Sequence, residues 1–210
     1  MIIVHHLNES RSQRILWLLE ELGVAYEVKK YARDASTRLA PPELKAVHRL
    51  GKSPVVEING KVLGESGAIV EYLAETEAGG KLCVPPGDSA RADYLYWLHF
   101  AEGSAMLPLL LKLYVGMLGE AGAQLMQMRI DPEIDNHLTH ADLSLANSNY
   151  FVADRFTAAD IQMSFVLDAA KARGGLARYP NLTRARAAMQ ARPAWRAALE
   201  RGGEYKMGAA

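Results

Sequence analysis

Every strand signal in this chain falls within its first 63 residues, and that asymmetry limits the folds open to it more than any other feature. Ile2-Ile3-Val4 is a β-branched run suited to a buried strand. Ile15, Leu18, Leu19 and Leu22 follow at helical spacing, with Gly23 placed to stop the helix in a left-handed turn. Tyr26 to Tyr31 reads as a second strand, and Pro41-Pro42 opens a helix running to about His48. Pro54 to Ile58 and Lys61-Val62-Leu63 flank Asn59-Gly60, a strong hairpin signal. Ile69, Tyr72 and Leu73 mark a third helix. The order βαβαββα predicts a small mixed sheet with helices on its faces, since a parallel pair needs a crossover and the last two strands need only a turn.

Residues 79–88, with Gly79-Gly80 and Pro85-Pro86-Gly87, read as a linker between a domain at 1–78 and one at 89–210. The second is expected to be all-helical. Tyr94, Trp97, Leu98, Ala101 and Ala105 keep helical spacing, and Ala158 to Ala172 is apolar almost all round, the mark of a buried central helix. Thr157 and Asp160 resemble a capping box at its start.

Charge narrows the function classes. Lys plus Arg and Asp plus Glu are each 24, so no excess of positive charge is present for nucleic acid or an anionic membrane surface. A single cysteine, Cys83, leaves no internal disulfide, CxxC pair or cysteine-based zinc site. His137 and His140 are three apart, but no third ligand accompanies them, so no metal is expected. The apolar run Met106 to Gly119 is too short to cross a bilayer, and Met1 to His6 lacks the pattern of a secretory signal. A cytoplasmic protein is expected.

Three segments near the strand ends can carry chemistry. Asn8 to Arg14 puts hydroxyls and unpaired N–H groups at a helix start, where anions are favoured; Ser10 or Ser12 as a simple cap is the competing reading. Lys52-Ser53-Pro54 enters a strand, with a trans or a cis peptide before the proline. Glu65-Ser66 opens the third helix, where Ser66 can hold a carboxylate and Glu65 an ammonium. Together they describe a groove able to grip a small zwitterionic peptide. His5 and His6 must face opposite sides of the sheet, and neither has an evident carboxylate partner in sequence.

Ser10 to Gly23, Leu50-Gly-Lys-Ser-Pro-Val-Val56 and Gly64-Glu-Ser-Gly-Ala-Ile69, in this order, resemble the glutathione S-transferases, and most closely a serine-type subgroup of bacteria and fungi. Pro41-Pro-Glu-Leu44 and Thr157-Ala-Ala-Asp160 sit where that family places them. The resemblance implies a thioredoxin-like N-terminal domain, an all-helical C-terminal domain and a homodimer. It further implies glutathione as co-substrate, with a small electrophile as the other. Ser10 would be the activating hydroxyl, with Ser12 its nearest competitor. Ser53 and Pro54 would fall on a cis-proline turn that pairs with the cysteinyl unit. Glu65 and Ser66 would meet the γ-glutamyl end, and Lys52 the glycine carboxylate, aided by His48 where many relatives have asparagine. The electrophile pocket has Tyr94, Trp97, Met106 and Tyr114 as candidates, all equally readable as core, and Glu102 is a candidate for reaching a partner's site. Arg11 can add positive potential. The implied activity is conjugation in detoxification. A peroxidase, isomerase or dehalogenase use of the same thiolate, or a non-catalytic glutathione-binding module, stay open beside it.

Overall fold

A computed structural model describes residues 1–173 and 175–208. The chain divides into two compact units, Ser89–Ala188 and the remainder, which joins Met1–Asp88 to the stretch from Met189 onward.

The first unit holds β1 (Ile2–Leu7), α1 (Ser12–Leu22), β2 (Tyr26–Tyr31), α2 (Glu43–Val47), β3 (Val55–Ile58), β4 (Lys61–Leu63) and α3 (Ser66–Thr76). The sheet order is β2-β1-β3-β4, with β1 parallel to β2 and the other pairs antiparallel. This is the βαβαββα thioredoxin-like arrangement with its mixed sheet. Gly23 adopts φ 68° and donates its N–H to Glu20, the left-handed stop that a glycine there permits. Ile15, Leu16, Trp17, Leu18 and Leu19 of α1 are all fully buried, each aliphatic side chain contributing about 1.5–3 kcal/mol through burial. α2 is shorter than its sequence suggests. Pro42 precedes its first residue and the backbone turns extended at His48.

The sequence boundary at 89–210 differs from the observed grouping at its far end. After α9 (Pro180–Gln190), α10 (Pro193–Gly202) packs onto α1, so the chain's last stretch belongs with the sheet. Trp195 meets Trp17 edge-on at 5.1 Å, Arg192 forks onto both oxygens of Glu21 at 2.6 and 2.8 Å, and Arg201 lies 3.9 Å over the Tyr26 ring. The alanine- and arginine-rich composition of this segment gives no hint of which unit it joins.

The second unit carries α4 (Arg91–Phe100), α5 (Met106–Gly116), α6 (Glu120–Leu125), α7 (Asp131–Ser144), α8 (Ala158–Ala172) and most of α9. Two π-helical turns, Ala101–Ala105 and Met126–Ile130, join α4 to α5 and α6 to α7. All but the last two residues of α8 are buried. At its start, Asp160 accepts the N–H of Thr157 at 2.7 Å and that of Phe151 at 2.9 Å, completing a capping box. Among the described residues no helix is long and apolar enough to cross a membrane.

Candidate active site

The loop from β1 into α1 is held from two sides. Arg33 donates to the carbonyls of Asn8 and Glu9, at 3.1 and 3.0 Å, while Asn8 Oδ1 accepts the Arg33 N–H. The Glu9 carboxylate accepts the N–H groups of Lys206 and Met207, tying the loop to the chain end beyond α10. Ser10 and Ser12 are thus fixed at the helix N-terminus, where the first-turn N–H groups and the helix dipole favour negative charge.

The two serines differ in what they can still do. Ser12 is 0% exposed. Its Oγ lies 3.2 Å from both the N–H and the C=O of Leu7, 2.8 Å from His6 Nδ1 and 2.8 Å from Ser10 Oγ. Ser10 is 5% exposed, accepts the Ser12 N–H at 3.2 Å and lies 3.5 Å from Ser53 Oγ. Ser10 therefore accepts the N–H of the first helical residue from one position before the N-cap, and neither serine is the N-cap that the capping reading expects. No side chain caps α1 at Arg11, its N-cap position.

The Ser53–Pro54 peptide is cis. Ser53 Oγ donates to the carbonyl of His5 at 3.0 Å, which holds this turn against the end of β1 beside Ser10. At the start of α3, Ser66 is buried and Arg14 Nη1 donates to its Oγ at 3.3 Å. Glu65 has φ 63° and ψ 111°, a strained backbone for a residue with a Cβ, and such strain persists where the surroundings over-determine it. Its carboxylate is exposed and has no partner among the described residues. The His48 ring lies against Gly64, about 3.5 Å from where a Cβ would stand there. Lys52 is exposed. The first unit thus brings Ser10, Ser53, Pro54, Ser66 and Arg14 together through hydrogen bonds and chain adjacency, with Glu65, His48 and Lys52 at their borders.

The adjacent histidines split as the strand pleat requires. His5 does have a carboxylate partner, contrary to the expectation from sequence. Its Nε2 donates to Glu57 Oε1 at 2.7 Å, leaving Nδ1 to accept from the Tyr31 hydroxyl at 2.8 Å. Glu57 is 52 positions away, out of reach of local reading. The His5 bond, with Lys29 at 3.3 Å, holds the Glu57 carboxyl below the usual carboxylate range. On the other face, burial and the charge of Lys30 lower His6 to about 4, so its imidazole is neutral near pH 7.

In the second unit Tyr94, Trp97 and Met106 are buried, and Trp97 stacks on His140 with Tyr96 and Phe100 edge-on and Phe151 tilted against it. Tyr114 is 57% exposed. His137 donates to the Glu133 carbonyl, and His140 Nε2 pairs with the Tyr96 hydroxyl at 2.9 Å, so these rings are engaged locally. Among the described residues no group of three metal-ligating side chains occurs. Cys83 is half-buried and lies 3.8 Å from Glu75.

Arg14 and His6 are parts of this site to which the sequence reading gives no role. Arg14 has one signal, a lone cation in α1 directly before its apolar run and four residues after Ser10.

Residues 1–75 match the family model of the glutathione S-transferase N-terminal domain, and residues 119–201 that of the C-terminal domain. Glutathione S-transferase 3 of Schizosaccharomyces pombe is 37% identical over 217 residues, covering 96% of this chain and 88% of that protein. The chain belongs to the glutathione S-transferase family. Glutathione S-transferase 1 of Saccharomyces cerevisiae is 33% identical, with 81% of each chain covered. The crystal structure of a glutathione S-transferase from Actinobacillus pleuropneumoniae superposes with a TM-score of 0.86 at 32% identity, covering 99% of this chain and 95% of that one. The protein is accordingly a glutathione transferase, an enzyme with glutathione as co-substrate.

Proposed function

We propose that this transferase conjugates glutathione to small electrophiles, with the Ser10 hydroxyl donating a hydrogen bond to the glutathione sulfur. The observation that carries this reading is the contrast between the two serines. Ser12 is enclosed by Leu7, His6 and Ser10, whereas Ser10 retains an edge beside Ser53 and the cis Pro54.

In this reading the cysteinyl backbone pairs with Ser53 at the cis-proline turn. The γ-glutamyl ammonium meets the exposed Glu65 carboxylate, and its carboxylate meets Ser66 at the N-terminus of α3. Lys52, with His48 nearby, faces the glycine carboxylate. The glutathione thiol has a pKa of about 8.5 by analogy with cysteine, so little of it is thiolate at pH 7. Lowering it by about two units requires roughly 2.7 kcal/mol of preference for the anion. The α1 N-terminus and one hydroxyl donor, each worth about 1–2 kcal/mol, supply that. The thiol proton leaves to solvent and the sulfur pair forms the new C–S bond. A leaving group departs with its electron pair, or, in an addition, the carbanion takes a proton.

The electrophile is assigned to the helical unit, with Tyr114 the exposed candidate and Tyr94, Trp97 and Met106 buried ones. The enzyme is proposed to act as a cytoplasmic homodimer in detoxification, with no metal in its mechanism.

Conjugation of an aryl halide tests the assignment. Ser10→Ala is expected to lower kcat about 10- to 100-fold, the loss of one donor to a developing anion, with KM for glutathione within about threefold. Full activity in Ser10→Ala would overturn it.

A further inference from the structure

The hydrogen-bond path from Ser10 continues inward through Ser12 to His6, at 2.8 Å in each step. The protons along it are tightly constrained. Ser12 Oγ has one hydrogen and two lone pairs. The N–H of Leu7 occupies one lone pair, because a backbone amide can only donate. The Leu7 carbonyl, also 3.2 Å from Oγ, competes for the Ser12 hydrogen, but donation to it leaves one of the two 2.8 Å contacts without a hydrogen. With both contacts bonded, one lone pair and one hydrogen remain for Ser10 and His6, and these can be assigned in two ways. If Ser12 donates to His6 Nδ1, then Ser10 must donate to Ser12, and its hydrogen is spent inward. If instead Nδ1 carries the imidazole proton and donates to Ser12, Ser12 donates to Ser10. Both Ser10 lone pairs are then filled, by the Ser12 N–H and the Ser12 hydroxyl. Its own hydrogen is left facing only the 3.5 Å contact with Ser53, whose hydroxyl is already given to the His5 carbonyl.

Resting on the Ser10 reading above, we infer that His6 is a positioning residue for the reaction. With its proton on Nδ1, it reverses the Ser12 hydroxyl and so turns the Ser10 hydrogen outward to the glutathione sulfur. The imidazole is suited to this. It is 3% exposed and neutral near pH 7, so it carries one ring proton that either nitrogen can hold. The thiolate, which needs a donor, selects the Nδ1–H form. The ring is also held in place. Gly202 of α10 passes so close that a Cβ there would stand 3.3 Å from His6 Nε2 and 2.9 Å from Gln13 Oε1. Lys30, on the neighbouring strand, is the charge that bears on the ring. Ser12 is thereby a relay and not the hydroxyl that meets substrate.

The test is the thiol pKa of bound glutathione, read from thiolate absorbance across pH, in wild type and in His6→Leu, His6→Asn and Ser10→Ala. Asparagine can place an amide N–H near the position of Nδ1; leucine cannot. Expected are a rise of about 0.5–1 unit in His6→Leu, recovery to within about 0.2 unit in His6→Asn, and kcat in His6→Leu down about 3- to 10-fold with KM for glutathione little changed. Ser10→Ala is expected to raise the pKa further than His6→Leu. Retained glutathione affinity shows each variant to be folded. An unshifted pKa in a His6→Leu variant that binds glutathione, beside a raised one in Ser10→Ala, overturns the relay alone. An unshifted pKa in Ser10→Ala overturns the Ser10 reading and the relay with it. A His6→Asn variant as impaired as His6→Leu also contradicts the relay.

Discussion

Ser10 and Ser12 place their Oγ atoms 2.8 Å apart, yet Ser12 is wholly enclosed while Ser10 keeps 5% of its surface exposed. The two alanine substitutions are therefore expected to separate. Ser12→Ala deprives the Leu7 N–H and His6 of a buried partner and should cost about 1–3 kcal/mol of stability. Ser10→Ala should cost less, about 1 kcal/mol, because the losses fall mainly on Ser12, whose N–H and hydroxyl each lose one contact while the hydroxyl keeps its others. Urea unfolding of the two variants measures both.

Among the described residues Glu65 has no partner for its carboxylate and sits on a strained backbone, which contributes nothing evident to the fold. Glu65→Gln should leave the melting temperature within a degree or two while weakening glutathione binding about tenfold, the value of one charge-assisted hydrogen bond. Calorimetric titration with glutathione reads the affinity, and thermal unfolding reads the control.

Burial, with Lys30, depresses His6 from 6.5 to about 4. Between those values the unfolded chain holds a proton that the folded one refuses, so this contribution is present above pH 6.5 and is lost as pH falls toward 4. Asp160, pushed up to about 7 by burial against its three donors, slopes the opposite way, losing stability as pH rises from about 4 to 7. The clean observable is the difference between wild type and His6→Asn, in which Asp160 cancels. That difference should grow in favour of wild type by on the order of 3 kcal/mol from pH 4 to 6.5 and then level off. Denaturant titrations at stepped pH give it.

Gly202 has a space requirement and not a conformational one. A methyl group there would stand 2.9 Å from Leu16 Cδ1 and Gln13 Oε1. Gly202→Ala should destabilise by about 1–3 kcal/mol through overpacking, despite alanine's better helix propensity. A lowered urea midpoint with an unchanged slope is the expected signature.

Local grammar makes much of the fold legible. The Gly23 stop, the Asn59-Gly60 hairpin, the helical run of α1 and the Thr157–Asp160 pair depend on residues within a few positions of one another. The loop that carries Ser10 can be named for the same reason, since a short polar stretch before an apolar helix is visible in one dimension. What cannot be read depends on distant chain. Glu57 pairs with His5 across the sheet, and α10 returns to α1 through Arg192 and Glu21, 171 positions apart. His6 meets Ser12 only because the strand pleat and the helix entry aim both inward. Choosing between Ser10 and Ser12 requires their enclosure, which periodicity does not encode. The far end of the helical domain is illegible for the same reason, because an amphipathic helix does not declare which partner its apolar face will find.

The central claim is that the bound sulfur is an anion at neutral pH. Ultraviolet difference titration of glutathione saturating the wild-type enzyme tests it most directly. The expected result is a thiol pKa about two units below the free value of about 8.5. A bound thiol that titrates at the free value would contradict it.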